Sequence, residues 1–270
     1  MRETKKARIL FISLRSDYGG GPTHMFDIVT HLNSSFGKYV ACPIQKPFYN
    51  MYKGKNIKLF SLPVRTFSLF RFVELVWFAK RNYIDIIHSH GKGAGVYSRV
   101  LGLLIGKPVI HTFHGIHYKR YSYLKQKLYF IIERIMSWFT WSIINVSVAE
   151  HEEGMRLKLF PKSKAQVIYN GVNIREIRSS SMEIELRDLI NSIKKDNTLI
   201  CTVARFDYVK GIDVAIQAMK SLKKYHKNFK YILIGDGELK KAIIKEINDC
   251  RLNNQILLLG FRDDVPGILK

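Results

Sequence analysis

Short apolar runs alternate with longer amphipathic stretches along nearly the whole chain. The first run, ARILFISL at 7–14, is rich in β-branched and aromatic residues and ends in turn residues, so it reads as a buried strand. Similar runs lie near 38–43, 57–61, 84–88, 108–113, 143–148 and 165–168. Helical periodicity falls between them, near 22–33, 67–82, 92–105, 121–140 and 150–159. Strands that alternate with helices predict an α/β fold with a parallel sheet. From Asn170 to about Met182, Gly, Asn and the triple Ser179-Ser180-Ser181 cluster as in a linker. A helix near 183–195 then opens a second α/β unit, with strands at Leu199–Ala204, Tyr231–Ile234 and Ile256–Leu259. The expected domains are therefore 1–174 and 175–270. There is no internal repeat and no low-complexity tract.

The chemistry gathers where strands end. Arg205 follows the strand at 199–204, and Lys210-Gly211 comes five residues later, ahead of an amphipathic helix. Ligands of open α/β sheets bind outside the carboxyl ends of the strands. A cation pair there suits a diphosphate, because charge-assisted bonds to phosphate are strong and directional. The strand at 231–234 ends in Gly235-Asp236-Gly237, and the strand at 256–259 in Gly260-Phe261-Arg262-Asp263-Asp264. Glycines at a strand–helix junction let backbone approach a ligand. In the front half, Gly19-Gly20-Gly21 joins the first strand to a helix, which makes an anion cradle or simply a tight turn.

Taken together, V-x-R…K-G, G-D-G and G-x-x-x-x-V resemble the nucleotide-sugar domain of family 4 glycosyltransferases. DIIHSH (85–90), HTFHGIHY (111–118), SVAEHEEGM and VIYNGVNI (167–174) resemble that family's first-domain and interdomain signatures. The resemblance runs from Arg8 to Lys270. It implies a GT-B fold of two Rossmann-like doubly wound domains, the second incomplete at three strands. The family's glutamate-bearing loop and its final returning helix have no counterpart in these 270 residues. The chain therefore resembles a shortened member, for which little transferase turnover is expected.

The same resemblance assigns roles. Arg205 and Lys210, with Gly20 and Gly21, would hold the donor diphosphate. Gly235, Asp236 and Gly237 would line the nucleotide, and Asn170 and Gly171 would face the interdomain cleft. His114, after Thr112, would hydrogen-bond the sugar as the catalytic histidine. Two fixed cations can neutralise a departing diphosphate, and no D-x-D motif stands at a suitable strand end. No metal and no cofactor beyond the nucleotide-sugar donor is therefore expected. The clustered His88, His90, His111, His114 and His117 lack a nearby Cys or carboxylate, which argues against a metal centre. Capping or core roles are the other reading for these histidines. Glu150, Glu152 and Glu153 read as macrodipole partners at a helix start. Asn170-Gly171 by itself is a turn signal.

The charge is strongly uneven along the chain. The net charge is +22, and residues 1–174 carry 26 Lys and Arg against 9 Asp and Glu. Such a field suits a polyanion or an anionic surface. With no nucleic-acid motif, an anionic membrane surface is the expected partner, not nucleic acid. Two aromatic and basic stretches, 66–81 and 118–144, fit a headgroup interface or ordinary sheet-covering helices. Neither reads as a span: Glu133-Arg134 interrupts the second, and Pro or turn signals and charges bound the first well short of ~20 apolar residues. Three scattered cysteines and a charged N-terminus without a signal pattern suggest a reducing cytoplasm. The expected function is sugar transfer to a lipid-linked or saccharide acceptor, at the inner face of the plasma membrane, in surface-polysaccharide assembly. The alternatives are a non-catalytic binding remnant and a nucleotide-sugar 2-epimerase. An epimerase needs first-domain carboxylates at strand ends, and only Asp17 stands at one.

Overall fold

The computed structural model describes residues 6–55 and 57–270. The charged N-terminal segment read above lies mostly outside the described residues. The chain divides into two compact units, Met1–Gly171 and Val172–Lys270.

In the first unit the strands are β1 (Arg8–Ser13), β2 (Gly37–Cys42), β3 (Lys58–Ser61), β4 (Ile86–His90), β5 (Val109–Thr112), β6 (Ser142–Asn145) and β7 (Ala165–Val167). The helices are α1 (Gly20–His31), α2 (Phe48–Lys53), α3 (Leu69–Arg81), α4 (Lys92–Ile105), α5 (Tyr123–Trp138) and α6 (Val148–Arg156). All seven strands pair in parallel, in the order β3-β2-β1-β4-β5-β6-β7. This is a doubly wound sheet whose order reverses between β1 and β4.

β1 shows why its apolar run is continuous. Leu10 and Ile12 enter a core with Leu75 of α3 and Leu101 of α4. Ile9 and Phe11 point to the other face, against Met25 of α1 and Tyr52 of α2. Strand side chains alternate between faces, so a strand covered on both must be apolar at every position. Each such side chain contributes about 1.5–3 kcal/mol by leaving water.

The second unit holds β8 (Thr198–Val203), β9 (Phe229–Ile234) and β10 (Ile256–Gly260), parallel, in the order β10-β9-β8. Its helices are α7 (Ile174–Ser179), α8 (Ile184–Lys194), α9 (Ile212–Leu222), α10 (Lys240–Asp249) and α11 (Val265–Ile268). α9 and α10 cover one face through Ile216 and Ile247, and α8 covers the other through Leu186 and Ile190.

The expected strands and long helices are present, with ends shifted by a few residues. Three short helices differ from expectation. α2 lacks a long apolar period, yet Phe48 and Tyr52 dock it beneath α1. α7 forms inside the expected linker, where Asn173 Oδ1 accepts from the Glu176 N–H at 3.2 Å. α11 follows the last strand. α6 begins at Val148 rather than 150, because Ser147 caps it by accepting from the Glu150 N–H at 3.1 Å.

Candidate functional site

The reversal between β1 and β4 opens a crevice at the carboxyl ends of the strands, the usual ligand position in such sheets. Three histidines meet there. His24 lies in the first turns of α1, His90 ends β4, and His114 follows β5 by two residues. His24 Nδ1 is 3.4 Å from His114 Nε2, and His90 Nδ1 is 3.0 Å from the same atom. The His90 and His114 rings stack at 5.3 Å. His24 is the member that sequence reasoning missed. It carries no strand-end signal, and its only clue is its place one turn after the glycine run.

His114 is held in a conformation that few non-glycine residues adopt, with φ 67. Buried Phe113 anchors the chain before it, and Gly115 after it has φ 105. The Gly115 N–H donates to Glu150 Oε1, while Glu150 Oε2 accepts from the Val146 N–H at 2.8 Å. Glu150 stands in the first turn of α6, as its dipole reading expects, and also ties the histidine turn to the start of that helix. Glu153 lies beyond the first turn; it pairs with Arg156 and accepts from the Tyr118 hydroxyl. Strain at His114 of about 1–3 kcal/mol persists only because these contacts fix the turn.

The histidines behind it are core groups. His88 Nε2 meets Thr112 Oγ1 at 2.9 Å, and His111 Nδ1 meets Ser89 Oγ at 2.9 Å. Burial pushes His88 down to about 3, with His24 and His114 adding to the effect. Burial likewise pushes His114 down to about 4. His90 and His111 fall well below the usual imidazole range for the same reason. At neutral pH these rings are neutral and can offer a lone pair or a single N–H. His117 is exposed and outside this group.

Gly20 and Gly21 form the first turn of α1. A Cβ on Gly21 would lie 3.4 Å from the His114 ring, whereas one on Gly20 would meet nothing. The glycine turn is therefore a wall of the histidine crevice. Asp17 is bound by Arg15 at 2.8 and 2.9 Å. Asn170 and Gly171 are exposed in an irregular segment, with no turn and no left-handed backbone at Gly171. The turn expected from this pair does not form, and local conformation does not require the glycine.

In the second unit, Arg205 lies two residues past β8, and Lys210 closes the short helical turn Tyr208–Lys210. Both are exposed. The Arg205 Nε–H donates to Asp207 Oδ2 at 2.6 Å, which fixes the guanidinium by one edge. Lys210 has no ion-pair partner among the described residues. The G-D-G segment has an additional explanation. A Cβ on Gly235 would lie 1.9 Å from Ala204 O, and one on Gly237 2.4 Å from Phe206 O. The Phe206 N–H donates to Asp236 O at 2.9 Å. These glycines let the β9 loop close on the Arg205 loop, so they shape the cation-bearing rim. Asp236 itself pairs with Lys240 at 2.7 Å.

The two aromatic and basic stretches form α3 and α5 with their flanks. On α5 the usual arrangement is inverted. Its buried residues are Tyr129, Glu133 and Ser137, while Leu124 and Trp138 are 77% and 70% exposed. Glu133, which interrupts the apolar run in sequence, turns inward and accepts from Arg99 Nη1 of α4 at 3.0 Å. On α3, Phe70 and Trp77 are 71% and 72% exposed. Among the described residues no helix is long and apolar enough to cross a membrane.

Comparison with known proteins gives this geometry a family. Residues 18–176 match the model of Glycosyltransferase Family 4, and residues 185–270 that of Glycosyl transferases group 1. The chain is 26% identical, over 88% of its length, to a UDP-Gal:α-D-GlcNAc-diphosphoundecaprenol α-1,3-galactosyltransferase of Escherichia coli. It is 24% identical, over 94% of its length, to the capsular polysaccharide biosynthesis glycosyltransferase CapH of Staphylococcus aureus. It spans 64% of the first of these relatives and 69% of the second. A solved structure of Anabaena HepE with UDP and glucose superposes on 97% of this chain and 71% of its own, at a TM-score of 0.79 and 19% identity. That likeness establishes the GT-B fold type. The chain belongs to glycosyltransferase family 4, and its second unit to the group 1 glycosyl transferases.

Proposed function

We propose that the protein transfers a sugar from a nucleoside-diphosphate donor to a lipid-linked or saccharide acceptor in surface-polysaccharide assembly. One observation carries the reading furthest. The strained His114 faces the Gly21 wall of a crevice at the switch point, in a chain of this family. His114, neutral at pH 7, presents Nε2 as a donor or acceptor to a sugar hydroxyl and orients it. The first-turn N–H groups of Gly20 and Gly21 face anionic groups of the donor. Arg205 and Lys210 neutralise the diphosphate as it leaves, so the transfer step itself requires no metal. Gly235, Asp236 and Gly237 shape the rim on which the nucleotide rests, and Asn170 and Gly171 belong to the segment facing the substrates. Retention of anomeric configuration and a hexose as the transferred sugar complete the proposal.

The relatives named above are transferases, and Asp17 is occupied by Arg15. Both points favour transfer over epimerisation. The outward apolar faces of α3 and α5, beside Lys80, Arg81, Lys125 and Lys127, support peripheral attachment to anionic lipid on the inner face of the plasma membrane.

Calorimetry with UDP and UDP-sugars tests the donor assignment. Arg205→Ala and Lys210→Ala are each expected to weaken binding by roughly 1.5–3 kcal/mol, the scale of a charged hydrogen bond. Unchanged affinity in both variants would remove the diphosphate role. Little turnover by the 270 residues alone is the expectation; wild-type protein that binds no nucleotide sugar would remove the transferase reading.

A further inference from the structure

Three imidazoles from three separate elements point at one position. His24 Nδ1 and His90 Nδ1 lie 3.4 and 3.0 Å from His114 Nε2. One ring nitrogen of each lies within 4.8 Å of the others. A tetrahedral ion with Zn–N bonds of about 2.0–2.1 Å holds its ligand nitrogens about 3.3 Å apart. The two measured edges lie on either side of that spacing. Hydrogen bonding accounts for the cluster less well. An imidazole nitrogen carries one in-plane lone pair or one proton, so His114 Nε2 satisfies only one of its two neighbours well. A cation satisfies all three nitrogens together.

His90 adds an independent observation. The residue is 4% exposed, and its other nitrogen, Nε2, is buried with no hydrogen-bond partner. Its proton is free to reside on Nε2, which leaves the Nδ1 lone pair directed at the cluster. The donor set is three neutral nitrogens with no carboxylate. That composition suits zinc, cobalt, nickel or copper and disfavours magnesium and calcium.

We propose that His24, His90 and His114 bind one divalent first-row transition ion of the zinc class, with its fourth position open. The ion takes no part in the proposed transfer. It occupies His114 Nε2, the atom offered to the sugar, and so opposes donor binding; this consequence alone rests on the transferase reading.

Cobalt(II) titration of metal-stripped protein tests the site. The expected result is the intense visible absorption of four-coordinate cobalt, saturating at one ion per chain and displaced by zinc. His24→Ala and His90→Ala each lose the band, and His117→Ala keeps it. The milder His24→Asn, checked for an unchanged metal-free melting curve, also loses it. Zinc raises the melting midpoint of the wild type but not of His24→Asn. A wild type without the band overturns the proposal, as does a folded His24 variant that retains it. The spectrum is read without donor sugar, so it stands or falls separately from the transferase reading.

Discussion

β1 and β9 are nearly matched in sequence character and in burial, yet the strands beside them are not. β1 is flanked by β2 and β4, and four of the five β4 residues are buried. β9 is flanked by two edge strands, and β8 exposes Thr198, Cys201 and Val203 despite an apolar sequence. Local hydrophobicity is similar in the two sheets. What differs is how many strands and helices lie on each side. The chemistry follows that difference. The first unit desolvates His88, His90, His111 and His114 and keeps them neutral, whereas the second presents Arg205 and Lys210 to water. A polar group needs surroundings to change its character, and a wide sheet supplies them.

The largest effect is expected when one interior loses a charge partner. Glu133→Ala leaves the Arg99 guanidinium buried without its partner, which is expected to cost about 3–5 kcal/mol. Scanning calorimetry should show the first unit melting earlier while hydrogen exchange over 198–270 stays unchanged. Parallel loss in both would show that the units do not respond separately. The converse variant is Gly235→Ala. Its Cβ would lie 1.9 Å from Ala204 O at φ 144, and backbone strain alone costs roughly 1–3 kcal/mol. Faster exchange is expected over 198–270, with 7–170 unaffected.

A pH titration sharpens the electrostatic side. His88 and His114 fold with values lowered to about 3 and about 4, below the usual 6.5 of the unfolded chain. The unfolded state then binds more protons between those limits, so this stability is complete above pH 6.5 and declines as pH falls. Glu150, raised by burial, gains its proton earlier in the folded state and so opposes part of the change as pH falls. Melting of the first unit should fall from pH 6.5 to 5. The second unit, which buries no histidine, should change less over the same range. Equal slopes would contradict the contrast in burial.

The smallest effect on stability is expected at Trp77, 72% exposed on α3. Trp77→Ala should change stability by less than about 0.5 kcal/mol. In flotation assays it should weaken attachment to anionic vesicles, and salt should weaken the wild type, because screening shortens the reach of surface charge. Equal flotation with neutral vesicles would count against the membrane proposal.

Much of the fold was legible in the sequence. Apolar runs such as 7–14 and 231–234 became central strands, because a strand covered on both faces leaves no polar position. α4 ended as its pattern predicted, at Gly106 with φ 64. The short helices were not legible: α2 is held by the contacts of Phe48 and Tyr52, not by its own period. His114 stood out at a strand end, but its partner His24 did not, since a helical histidine looks like any surface residue until the helix is placed. Glu133 read as a charge in an apolar run, and only the position of Arg99 explains its burial.

By itself, then, the sequence determined the alternation of strands and helices, the two units and the glycine-marked strand ends. These are local properties, set by side-chain period and backbone freedom. Tertiary structure decided which strand ends became neighbours and which rings lost their water. It also decided which face of α5 met solvent. Each of these depends on residues far apart in the chain, such as His24 and His114, whose meeting is fixed by strand order rather than by any pattern around either one.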